Sequence, residues 1–171
     1  MSLISPEYLE LQRTFHVKRP DYGVVGKNYA SKVLTLCREA KTYDILDYGC
    51  GKRTLEQALG FQIRNYDPAI PGLDAVPAPA DIVTCTDVLE HIEPECMHDV
   101  LTDIARCAKR FAFLTIATRP ASKTLPDGRN AHISIHPSRW WLDRLMHYFE
   151  IEQWQRLNDG EVFCLASRLK P

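Results

Sequence analysis

Two glycines flanking one cysteine, Gly49-Cys50-Gly51, close the short apolar run Asp44–Tyr48 and stand just before the helix-forming stretch Thr54–Leu59. A chain that turns from strand to helix within so few residues needs backbone conformations that glycine adopts at least cost. The same turn lets the main chain approach a ligand closely. Strand-like runs follow at Phe61–Tyr66, Asp81–Thr86 and Arg110–Thr118, and helical spacing occupies Pro94–Ala108 and Pro137–Phe149. Glu150–Leu157 and Val162–Arg168, joined through Asn158-Asp159-Gly160, read as a hairpin. The pattern predicts an α/β fold: a doubly wound, mostly parallel sheet with helices on both faces and one antiparallel strand near the C-terminus. Upstream, Ser5-Pro6-Glu7 opens a helix over Pro6–Phe15, and Asn28–Ala40 has amphipathic spacing. A single domain is expected, with residues 1–41 as a helical lid and 42–171 as the core.

Composition narrows the class. The 171 residues suit one sizeable core, and a net charge of −1 does not favour blanket attraction to phosphate backbones. No apolar run is long enough to span a bilayer, and Met1–Pro20 has no signal-peptide apolar region. No membrane partner is expected. Six cysteines without a CxxC pair read as small buried hydrophobes in a reducing, cytoplasmic setting.

The ligand is read from the residues around the glycine turn. Asp67 stands sixteen residues after Gly51, at the end of the next strand, where a carboxylate can accept hydrogen bonds from both ribose hydroxyls of an adenosine. The dinucleotide fingerprint needs a third glycine where this chain has Thr54, and there is no phosphate-loop Lys-Ser or Lys-Thr. Asp47 would repel a pyrophosphate but suits a cationic tail. A nucleoside bearing an ammonium fits best, and S-adenosylmethionine is such a ligand.

Asp47-Tyr48-Gly49-Cys50-Gly51, then Asp67, then Asp87-Val88-Leu89-Glu90-His91-Ile92 resembles the class I S-adenosylmethionine-dependent methyltransferases of small-molecule type, with their Rossmann-like fold. The resemblance covers about Asp44–Thr118. It implies that Asp47, Gly49 and Gly51 line the methionine end and Asp67 the ribose, with Cys50 and Pro68 also among the cofactor-binding residues. It further implies that Asp87, Val88 and Leu89 pack beside the cofactor. One departure is plain: only Pro68–Ala80 separates the ribose acid from the next strand, so the family's third strand is abbreviated or absent. Ala69 and Ile70 are then candidates for an apolar wall at the adenine.

A hydroxyl or ammonium acceptor must lose a proton, and histidine is the usual base near neutral pH. The candidates are His91 and the segment Asp127–His136, in which Asn130, His132, Ser134 and His136 alternate. In an extended chain these four face one way. Asn130 would orient the acceptor and His132 take its proton. A plain structural reading, in which the histidines cap neighbouring backbone, stands beside it. His132 and His136 have ligand-like spacing without a signalled third ligand, so no metal is assigned. His16, His98 and His147 need no functional account, and of Trp140 and Trp141 one is expected in the core.

Arg106–Arg144 carries eight basic residues and two acids, which suits an anionic acceptor. The expected partner is a small or modest acceptor methylated on a hydroxyl, amine or carboxylate. Three rival readings stay open: a nucleic-acid or protein methyltransferase reading its target through that basic region, a non-catalytic cofactor-binding subunit, and a nicotinamide oxidoreductase. The sequence does not define the oligomeric state.

Overall fold

The computed structural model describes residues 2–169. Six strands form one sheet: β1 (Ile45–Tyr48), β2 (Arg64–Tyr66), β3 (Ala80–Thr86), β4 (Ala108–Ala117), β5 (Phe149–Asn158) and β6 (Glu161–Arg168). Their order is β2-β1-β3-β4-β6-β5. β6 runs antiparallel to both its neighbours, and the pairs β1–β2, β1–β3 and β3–β4 are parallel. The expected antiparallel strand is therefore β6, slotted between β4 and β5. Residues 67–79 hold no strand or helix, so the abbreviated third strand is a loop.

The helices are α1 (Pro6–Lys18), α2 (Ala30–Ala40), α3 (Thr54–Leu59), α4 (Met97–Cys107) and α5 (Ser138–Leu145). Strand alternation divides the core between two faces. Leu46, Val83, Cys85, Leu114 and Ile116 meet Val100, Leu101 and Ile104 of α4 and Trp141 of α5. Ile45, Ile82, Phe113 and Phe163 meet Val33, Leu36 and Cys37 of α2 and Leu55 of α3. Trp141 is the core tryptophan. Trp140 instead stacks on His136, with ring centroids 3.6 Å apart. All six cysteines are buried and free.

Several helix ends differ from the sequence expectation for local reasons. Residues 25–29 form a separate 3-10 turn before α2, and α4 begins at Met97 because the Cys96 N–H donates to the Glu93 carbonyl in a turn of its own. At α1, Ser5 Oγ accepts from the Tyr8 N–H at 3.2 Å and donates to Glu93 Oε1 at 2.7 Å. That pair caps the helix and ties it to the loop after β3.

Chain order departs from β1 in both directions, to β2 on one side and to β3 and β4 on the other. A crevice opens at the carboxyl ends of the strands at such a reversal. The fully buried Trp141 anchors the α5 side of the sheet. Its replacement by alanine should cost roughly 3–5 kcal/mol, as large-to-small changes at buried aromatics do. Urea unfolding followed by circular dichroism measures this, and a loss below about 1 kcal/mol would contradict the packing.

Candidate active site

The glycine turn is built by backbone contacts. The Gly49 and Cys50 N–H groups both donate to the Tyr66 carbonyl, at 2.7 and 3.0 Å. Gly51 has φ +50°, and a Cβ there would stand 2.6 Å from the Gly23 carbonyl oxygen. The close approach that demands glycine at this position is thus made by the protein's own segment after α1. The Lys52 N–H seals it by donating to the Gly23 carbonyl at 2.8 Å.

Asp67 is buried, with Oδ2 accepting from the Gly51 N–H at 3.1 Å and Oδ1 from the Ala69 N–H at 2.9 Å. A carboxylate has about four lone-pair sites, so two remain for a ligand. They border a cavity of about 100 Å³. Of the sequence candidates, Gly49, Gly51, Asp67, Pro68, Asp87, Val88 and His91 line it. From α1 and its following loop come Tyr8, Gln12, His16 and Tyr22.

Three candidates lie elsewhere. Asp47 shares the strand face of Ile45, is 2% exposed, and accepts from Thr84 Oγ1 at 2.8 Å instead of bordering the cavity. Burial, only partly opposed by that bond, pushes its carboxyl up to about 7. Cys50 is buried behind the turn, where burial raises its thiol well above the ordinary range. Leu89 is fully buried in the α4-side core. His16, which the sequence left without a role, lines the cavity with its buried Nδ1 unpartnered, and its ring lies 4.8 Å from Tyr22.

A second chamber of about 270 Å³ shares Tyr22, Asp87 and His91 with the first. Its other walls include Tyr29, Arg119, Lys123, His132 and Glu161. Tyr29 Oη donates to Glu161. His132 Nδ1 lies 2.6 Å from the Arg119 carbonyl, and His91 Nδ1 lies 2.7 Å from the Ala131 carbonyl. A carbonyl only accepts, so both Nδ1 atoms carry a proton, and in the neutral form of each ring Nε2 keeps a lone pair. The two rings meet edge to face at 4.8 Å. Burial pulls His91 down to about 4, which nearby Asp87 only partly offsets, so this imidazole is neutral at neutral pH. Glu90 is fully buried, accepts from the Ala117 N–H at 2.7 Å, and is pushed up by burial and then by Asp87.

The alternation expected for residues 130–136 is replaced by local hydrogen bonding. Asn130 Oδ1 accepts from the Ala121 and His132 N–H groups, and Nδ2 donates to the Ala121 carbonyl. Its amide staples the loop that presents His132. Ser134 Oγ donates to the Ile92 carbonyl at 2.6 Å, and His136 turns away onto Trp140. Arg129 pairs with Asp127 at the surface, above the Tyr8 ring.

A family model described as a methyltransferase domain matches residues 24–160. The chain belongs to this family, within the S-adenosylmethionine-dependent methyltransferases of class I fold. Among solved structures, it is similar to 1,6-didemethyltoxoflavin-N1-methyltransferase from Burkholderia thailandensis, crystallised with 1,6-didemethyltoxoflavin and S-adenosylhomocysteine. The identity is 17%, over 99% of this chain and 93% of that one, with a TM-score of 0.64. It is also similar to magnesium protoporphyrin IX methyltransferase from Synechocystis PCC 6803 with bound S-adenosylhomocysteine, at 18% identity over 86% of each chain and a TM-score of 0.58. A third similar fold is the N-methyltransferase NodS from Bradyrhizobium japonicum, at 11% identity over 84% of this chain and 87% of that one, TM-score 0.56. No curated protein sequence matches this one.

The Asp47 carboxyl gives a pH test of the free protein. Its folded value, about 7, exceeds the ordinary aspartate value near 4, so its contribution to stability is complete below pH ~4 and is lost as pH rises through ~7. Wild type should lose roughly 2–4 kcal/mol more between pH 5 and 8 than Asp47→Asn does. Urea unfolding at both pH values, without cofactor, measures the difference, and parallel losses would contradict it.

Proposed function

We propose that the first chamber holds S-adenosylmethionine and the second a small acceptor, methylated on a hydroxyl, amine or carboxylate. The observation that carries this reading is the wall of Tyr22, Asp87 and His91 common to both chambers. A methyl donor on one side of it and a nucleophile on the other stand in reach of each other. Asp67 is suited to accept the ribose hydroxyls through its two remaining lone-pair sites. Gly49 and Gly51 line the same chamber, where their backbone suits the methionine portion, and Ala69 on that lining is suited to wall the adenine.

The sulfonium methyl is electrophilic by itself, so most of the rate comes from alignment and water exclusion. α1 supplies the cover: Tyr8 and Phe15 pack with Leu125 and Ala131 of the loop that carries His132. For an acceptor that must lose a proton, His132 Nε2 is the available base, with neutral His91 beside it. Asn130 acts as a positioning residue through the His132 backbone. Arg119 and Lys123 on the chamber wall suit an anionic acceptor.

A small acceptor is favoured over a nucleic acid or protein because the nucleophile must enter a chamber walled by Tyr22, Tyr29 and the loop that carries Arg119, Lys123 and His132. The two solved methyltransferases named for didemethyltoxoflavin and magnesium protoporphyrin act, by name, on compounds of that scale. Two imidazoles on the second chamber's lining, one of them on the shared wall, favour catalysis over a binding-only subunit. Buried free thiols suit a reducing compartment such as the cytoplasm. No helix among the described residues is long and apolar enough to cross a membrane.

Two substitutions separate the chambers. Asp67→Asn removes the charged acceptor and should weaken S-adenosylhomocysteine binding by roughly 1.5–3 kcal/mol. His132→Ala should leave that affinity within about twofold, while turnover on an identified acceptor falls by about 10²–10⁴. Calorimetry and a methyl-transfer assay read the two effects. An unchanged affinity in Asp67→Asn would move the cofactor elsewhere, and full turnover in His132→Ala would remove it from the reaction.

A further inference from the structure

Asp87, His91 and His132 each bring one potential ligand atom within 4.8 Å of the others. They come from three separate places: the end of β3, the 3-10 turn after it, and the loop stapled by Asn130. In both histidines Nδ1–H is spent on a backbone carbonyl, the Arg119 and Ala131 oxygens. Metal-bound imidazoles are held by just such outer hydrogen bonds, which fix the tautomer and aim the other nitrogen.

Asp87 is also a non-glycine residue with φ +58°, a costly left-handed conformation kept on the wall common to both chambers.

Resting on the two-chamber reading, we propose that Asp87, His91 and His132 bind one divalent transition-metal ion that holds the oxygen of the acceptor. Two imidazoles and one carboxylate suit Mn²⁺, Fe²⁺, Co²⁺ or Zn²⁺ better than Mg²⁺ or Ca²⁺, which prefer all-oxygen shells. Tetrahedral bonds of about 2.1 Å put the donors about 3.4 Å apart, so binding draws a pair standing 4.8 Å apart together by about 1.4 Å. The ion's open positions then face the second chamber. The acceptor class narrows accordingly to an oxygen donor, a hydroxyl or carboxylate, because a cation repels an ammonium. A coordinated hydroxyl gives its proton to water. Its oxygen pair forms the new bond to the methyl carbon, and the carbon–sulfur pair stays on the departing sulfur. In this state His132 is a ligand and no longer the base.

The test is titration of Co²⁺ into the ligand-free protein, followed by visible absorption, with S-adenosylhomocysteine titrated into the same samples by calorimetry. Wild type should show one saturable site with d–d bands. Asp87→Asn and His132→Ala, each checked for an intact fold by circular dichroism, should weaken it about 100-fold or more, since even outer-shell changes cost 10–100-fold. The proposal is overturned if wild type shows no saturable Co²⁺ binding below about 1 mM, or if both variants bind as tightly as wild type. S-adenosylhomocysteine binding that persists while Co²⁺ binding fails leaves the cofactor chamber standing and removes only the metal. Loss of S-adenosylhomocysteine binding in wild type strikes the two-chamber reading itself.

Discussion

The Asp67 carboxylate accepts from the Gly51 N–H on one side and from the Ala69 N–H on the other, and so joins the loop after β1 to the loop after β2. These are the two loops that flank the reversal of strand order. Charge-assisted bonds of this kind hold their partners firmly. Because each carboxylate oxygen retains a lone pair, the residue that shapes the crevice also has capacity for a ligand inside it. The Gly23 backbone then crosses over Gly51, which is possible only because that position lacks a side chain. Cavity floor and cavity roof are therefore set by the same few peptide units.

From this roof a chain of ring contacts runs to the second chamber. Phe15 meets Tyr22 at 4.6 Å, Tyr22 meets His91 at 5.6 Å, and His91 meets His132 at 4.8 Å. Tyr22 Oη donates to Gln12 Oε1 at 3.0 Å, which couples α1 to the same wall. The cover of the cofactor chamber and the reactive edge of the acceptor chamber thus share one packed unit. Movement of α1 would open the cofactor chamber, whose wall it lines with Tyr8, Gln12 and His16. Glu93, bound to the Ser5 N–H and Oγ, is the polar latch at its start.

Features written in local chemistry were legible in the sequence. The glycine turn, the carboxylate at the end of β2, the hairpin and the missing third strand all follow from neighbouring residues and chain length. Orientation was not legible where tertiary contacts decide it. Asp47 follows the strand alternation to the far face, a consequence of which side of β1 each helix covers. Asn130 and His136 have the polarity of site residues, yet the backbone of residue 121 captures one and Trp140 the other. His16 and Tyr22 reach the cavity only because α1 folds back over Gly51. No local motif marks that return path. His132 was placed by the segment's composition, but its companions Asp87 and His91 could be known only once the loop had closed on the end of β3.

A crystal structure with S-adenosylhomocysteine bound tests the central claim most directly. The ribose hydroxyls should lie within hydrogen-bonding distance of Asp67, with the sulfur directed at the wall of Tyr22, Asp87 and His91. A ribose placed away from Asp67, or a sulfur pointing away from His91 and the second chamber, would contradict the account.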